Sequence, residues 1–178
     1  LPDYVYNGHA RAVSKSFDIL YFNPDTLRES SVTSVFLFND EAKPGRWVGS
    51  YTDNFGYSES GTIRRYIAEN GKEGIEKIMK KRFTEGYSVS DFEWENENQR
   101  DNSVKLKYKI TIEPAEDPDL IYLNPMISGE YKENPFKSEN RMYPVEMPSL
   151  TDETYVLKLQ IPEGYVVDEI PRSERVLF

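Results

Sequence analysis

The stretch Asn134–Pro171, NPFKSENRMYPVEMPSLTDETYVLKLQIPEGYVVDEIP, decides how the rest of the chain is read. Within it, Tyr155, Leu157, Leu159 and Ile161 fall on one side of a period-two pattern, which predicts a strand over Tyr155–Ile161. A Pro-Glu-Gly turn follows at Pro162–Gly164. Tyr165–Ile170 then predicts a short second strand that stops at Pro171. Two such runs around one turn predict an antiparallel pair with a single buried face. The proline-punctuated residues ahead of them predict extended chain outside the centre of a sheet, because proline lacks the ladder N–H. This is an architecture without a reaction, and it points to a mostly β, non-catalytic domain.

Working outward, Ser103–Glu113 has the cleanest alternation: Val104, Leu106, Tyr108, Ile110 and Ile112 face in, while Lys105, Lys107, Lys109 and Thr111 face out. Ser88–Glu97 precedes it across the turn Asn96–Asn102, and the two predict a hairpin. Ser58–Gly86 is the one strong helical stretch. Ile63, Tyr66, Ile67, Ile75, Ile78, Met79 and Phe83 keep the three-and-four spacing of a buried stripe. Asn70-Gly71 predicts a kink or a division into two helices, and Ser58 or Ser60 is expected to cap the start. Val32–Phe38, apolar on both faces, predicts a central strand, with Arg46–Asp53 as its hairpin partner after Lys43-Pro44-Gly45. Ala10–Phe22 predicts one long or bent strand ending at Asn23-Pro24-Asp25. Leu120–Leu123 predicts a short strand, and Gly129–Asn140 a polar surface segment.

Composition narrows the classes. The 178 residues make one domain, or at most two small ones sharing a core, and their 22 tyrosines and phenylalanines supply area for a sizeable core. A formal net charge of −9 argues against nucleic acid and against a polybasic membrane-surface role. The absence of cysteine removes disulfides, thiolate metal sites and a cysteine nucleophile together. No apolar run approaches the roughly 20 residues that span a bilayer. No cofactor is expected.

The residues that could carry chemistry each have a plainer reading. His9, the sole histidine, would have to serve any triad or imidazole metal site, yet it sits beside Gly8 where a surface role is the ordinary one. Asp91, Glu93, Glu95 and Glu97 share one face of a strand; they could form a glycosidase pair or a calcium site. Pairing across the hairpin with Lys105, Lys107 and Lys109 is the better account. Arg64 and Arg65 could grip a carboxylate or phosphate. Trp47 and exposed tyrosines such as Tyr51 could stack a sugar, against the default of core packing. No glycine-rich phosphate loop, GxSxG or HExxH motif occurs.

Asn134-Pro135-Phe136, then Arg141–Val145 (RMYPV), then a strand, then Ile161–Tyr165 (IPEGY) and Glu169-Ile170-Pro171, resemble one known module. It is similar to the β-rich C-terminal domain, of unknown function, in the transglutaminase-like proteins of Bacteroides-type bacteria. There it follows a papain-like core. The helix start at Gly56–Arg65 and the hairpin to Glu113 are similar to the segment between core and tail, so the resemblance spans Val32–Phe178. The core's catalytic Cys, His and Asp have no counterparts here, and its activity is carried to no residue. The resemblance implies a cell-envelope location and packing against a transglutaminase-like core or another protein domain.

The expectations are therefore an α+β fold, with antiparallel sheet, the helical segment packed on one face and a C-terminal β layer. A subdomain over 1–113 and another over 114–178, with a seam at Glu113–Asp119, are expected, or one continuous domain. Three functional readings follow: an accessory or scaffolding module; a stand-alone glycan- or peptide-binding module of the envelope using Trp47, Tyr51, Arg64 and Arg65; and, last, a carboxylate hydrolase built on residues such as Asp91 and Glu93.

Overall fold

The computed structural model describes residues 8–13, 18–23, 28–43, 45–83, 86–113, 121, 123–127, 142 and 150–176. Their elements are β1 (Gly8–Arg11), β2 (Ile19–Phe22), β3 (Arg28–Asn39), β4 (Trp47–Asn54), α1 (Tyr57–Arg82), β5 (Tyr87–Glu95), β6 (Lys105–Ile112) and β7 (Leu150–Leu159). Five strands form one mixed sheet in the order β5-β6-β4-β3-β7, and β1-β2 form a second, two-stranded sheet. The fold is mostly β with one helix, an α+β arrangement.

The strand with the strictest alternation lies inside the core. Val104, Leu106, Tyr108, Ile110 and Ile112 are all buried, as the pattern predicts, and they meet Val35, Leu37, Trp47, Tyr51, Phe55 and Val89 in one cluster. Tyr51 and Tyr108 are opposite each other in the β4–β6 register and stack with centroids 4.9 Å apart. Phe83 meets Tyr51 edge-on at 5.8 Å, bringing the residue after α1 against the sheet. Such aromatic pairs contribute about 0.5–1.5 kcal/mol each beyond area burial. Gly49 is required where β4 pairs with β3, opposite Leu37: a Cβ there would lie 1.7 Å from the Phe36 carbonyl oxygen.

Helix α1 breaks at Gly71 (φ 73°, ψ 168°), where Asn70-Gly71 predicts it. Its start departs from expectation. Neither Ser58 nor Ser60 caps it; the Glu29 carboxylate, from β3, accepts the N–H groups of Ser58 and Glu59 at 3.0 Å each. A carboxylate is well placed there, against the positive end of the helix dipole. Ser60 is instead fully buried, and its Oγ accepts the Val104 N–H at 2.9 Å.

Four expectations are corrected. The sheet is mixed, because β7 runs parallel to β3 from Arg28↔Leu150 to Leu37↔Leu159. The antiparallel pair read from Tyr155–Ile161 and Tyr165–Ile170 does not form: β7 begins at Leu150, and Tyr165–Ile170 is not a strand. The turn exists, with Tyr165 N–H donating to Pro162 O and Gly164 at φ 87°, but the strand's ladder partner is the distant β3. Ala10–Phe22 spans parts of two antiparallel strands rather than one, Gly8 of β1 facing Phe22 of β2 and Arg11 facing Ile19. Val32–Phe38 is interior to the sheet as expected, but only Val35 and Leu37 are buried; Phe36 and Phe38 remain 45% and 48% exposed. The readings of Glu113–Asp119, Leu120–Leu123, Gly129–Asn140 and Arg141–Val145 fall wholly or largely outside the described residues.

Candidate functional site

Alternation along β3, β4 and β6 sends one set of side chains into the core and leaves the other set on an open side of the sheet. There, Phe38, Ser50, Asp91, Glu93, Lys107 and Lys109 line a wide, shallow depression of about 310 Å³. Its charged flank is the predicted cross-strand ladder. Lys105 pairs with Glu95 at 3.0 Å, Lys107 with Glu93 at 3.5 Å and Lys109 with Asp91 at 3.5 Å. Glu97 leaves the ladder and pairs with Lys72 of α1 at 2.6 Å, which holds its carboxyl below the usual range.

Between Ser90↔Lys109 and Glu93↔Lys107, β5 carries one residue more than β6, a bulge, and Asp91 takes a left-handed φ of 55°. On the other flank Lys158 Nζ stands 5.1 Å from the centre of the Phe36 ring. This surface offers apolar rings, hydroxyls and neutralised charge pairs. It can seat a flat or extended partner. The hydrolase reading needed Asp91 and Glu93 to work on each other across a cleft, whereas each is tied to its own lysine in the open.

The predicted binding residues separate. Trp47 and Tyr51 are 4% and 0% exposed, so neither presents a ring for stacking. They occupy the inward positions of β4, with Asp53, and Val48, Ser50 and Thr52 take the outward ones. Arg64 is committed to the turn after β5. Its Nε donates to Glu97 O at 3.2 Å, and its Nη2 donates to Asn96 O at 3.1 Å, Gln99 O at 2.7 Å and Asn102 O. Arg65 is exposed on α1. His9 is exposed on β1, its ring centre 6.2 Å from that of Tyr21. Among the described residues no group of three or more His, Asp or Glu is arranged to hold a metal ion.

One charged group escaped the sequence reading. Asp53, on β4, is 4% exposed. It accepts from Thr33 Oγ1 at 2.9 Å and from Tyr108 Oη at 3.5 Å, and Arg82 Nη1 lies 3.8 Å away. Burial pushes the Asp53 carboxyl up; Arg82, Thr33 and Tyr108 pull it back in part. Burial, and then the Asp53 charge, push the Tyr108 hydroxyl far up. The signal available was Asp53 in an inward register beside Tyr51. An aspartate there reads as a strand end unless the helix supplying Arg82 is known to fold over it.

With this geometry in hand, comparison with known proteins adds one likeness. A family model described as a domain of unknown function with a solved structure, DUF3858, matches residues 119–177, about a third of the chain. Neither a curated protein nor a solved structure matches the chain. Among the described residues, no helix is long and apolar enough to cross a membrane.

Proposed function

We propose that this chain is a non-catalytic accessory module of the bacterial envelope, similar to the C-terminal part of transglutaminase-like proteins, that docks beside such a core and scaffolds it. The observation that carries this reading is the open side of the sheet. Phe36 and Phe38 are half exposed next to a neutralised charge ladder, a surface suited to cover rather than to turnover. The reading keeps the helical stretch packed on one face, leaving the opposite face for the partner. Ile161, Val166, Val167 and Ile170, after β7, are exposed apolar residues as well. The test is titration calorimetry of the chain against a recombinant transglutaminase-like core. Saturable binding weakened at least tenfold by F36E/F38E is expected; absence of binding would overturn the reading.

A second reading, a glycan- or peptide-binding module, is favoured by the depression itself, where the Phe38 ring stands beside Ser50 and the Lys107 and Lys109 pairs. A glycan-array signal abolished by F38A, together with no affinity for the core, would put this reading first.

A further inference from the structure

We infer that the edge of β3 is a strand-accepting site and that β7 is its tethered, exchangeable occupant. The sheet is composite. Every fully buried apolar residue among those described, from Val35 to Ile112, comes from β3 to β6, α1 and their connections; β7 supplies none. Among the described strands of this sheet, β7 alone lies within the segment matched by the family model and alone runs parallel to its neighbour. It therefore covers the margin of the core, beside Val35 and Leu37, with half-buried residues and adds no fully buried one.

The contacts follow the logic of strand addition, in which the backbone supplies affinity and alternate side chains supply selectivity. β7 pairs over its whole length, Leu150–Leu159, and Gln160 N–H extends the ladder by donating to Leu37 O at 2.9 Å. Tyr155 and Leu157 are the anchors, half-buried against the core cluster. The Tyr155 hydroxyl accepts the Ile127 N–H at 3.4 Å. On the other side, Lys158 covers Phe36, and Asp152 lies 3.5 Å from Arg28 Nε. The ligand class is thus an extended peptide with an aromatic and an aliphatic residue two apart, followed directly by a lysine. Tethering supplies β7 at an effective concentration on the order of millimolar, which keeps the site filled in the intact chain. This inference stands independently of the proposed function.

The test uses the full chain with a protease site inserted between Ile127 and Leu150. After cleavage the two pieces are expected to elute together. A fluorescent peptide of the Leu150–Leu159 sequence should then displace the C-terminal piece with single-site saturation. The same peptide carrying Y155D and L157D should bind at least tenfold more weakly, and uncut chain should bind the parent peptide at least tenfold more weakly than cut chain. Pieces that stay together and never exchange would overturn the inference, as would equal binding of the two peptides, or pieces that separate and leave no peptide binding.

Discussion

Ser60 and Val104, 44 positions apart, are joined by a hydrogen bond in which the Val104 amide donates to the Ser60 hydroxyl at 2.9 Å, both residues wholly buried. The serine sits in the first turn of α1 and the valine just ahead of β6, so this bond sets where the helix meets the sheet. Phe55 N–H, donating to Val104 O at 3.0 Å, holds the same corner. Removing the hydroxyl leaves a buried amide without its partner. S60A is expected to lower stability by about 1–3 kcal/mol, read as a lower urea midpoint at unchanged slope.

Asp53 gives stability a defined pH dependence. Its folded pKa lies above the ordinary 3.8, so the folded state binds the proton more tightly than the unfolded one. The stability this confers is complete below the unfolded pKa and is lost as pH rises through the folded pKa. D53N cannot undergo that loss. The stability of D53N relative to the parent is therefore expected to rise with pH from about 4 upward and to level off once Asp53 is ionised. Urea unfolding of both proteins at a series of pH values measures the difference; a flat difference would refute it.

The Glu29 carboxylate does for α1 what a serine or aspartate cap does elsewhere. E29A is expected to cost about 0.5–2 kcal/mol, the range of a lost N-cap, and to speed hydrogen exchange at the Ser58 and Glu59 amides before any others. The space is tight: a Cβ on Gly56 would fall 2.2 Å from Glu29 Oε1. G56A should therefore speed exchange at the same two amides by displacing the carboxylate.

The lysine–carboxylate ladder predicts a small effect. The side chains of Lys109 and Asp91 are 60% and 69% exposed, and exposed pairs are worth about 0–1 kcal/mol. K109E should lower the melting temperature by a few degrees at most, with the loss shrinking in 1 M salt as screening removes the repulsion. D91K/K109E should restore part of it.

What was legible in the sequence was local. The inward set Val104 to Ile112, the hairpin with Ser88–Glu97, the facing lysines and carboxylates, the β3–β4 hairpin and the break at Gly71 all follow from period, turn residues and charge over short separations. The misses are non-local. Nothing near Leu150 announces that its ladder partner is Arg28, whereas the turn at Pro162–Gly164 points to a partner close in sequence. Ser60 carries the residue type of a helix cap, but burial beside Val104 commits it to the sheet, and the cap comes from Glu29 of another element. Trp47 and Tyr51 had the right chemistry for a binding surface, and the inward half of the β4 alternation buried them.

The extra residue in β5 has a consequence for how this molecule behaves in crowded company. An unprotected rim would present evenly spaced amides and carbonyls to any passing extended chain and invite templated growth. At Ser90–Glu93 that spacing is broken, and Asp91, in its left-handed conformation, turns the backbone out of step. From that flank, filament nucleation has no regular template to copy.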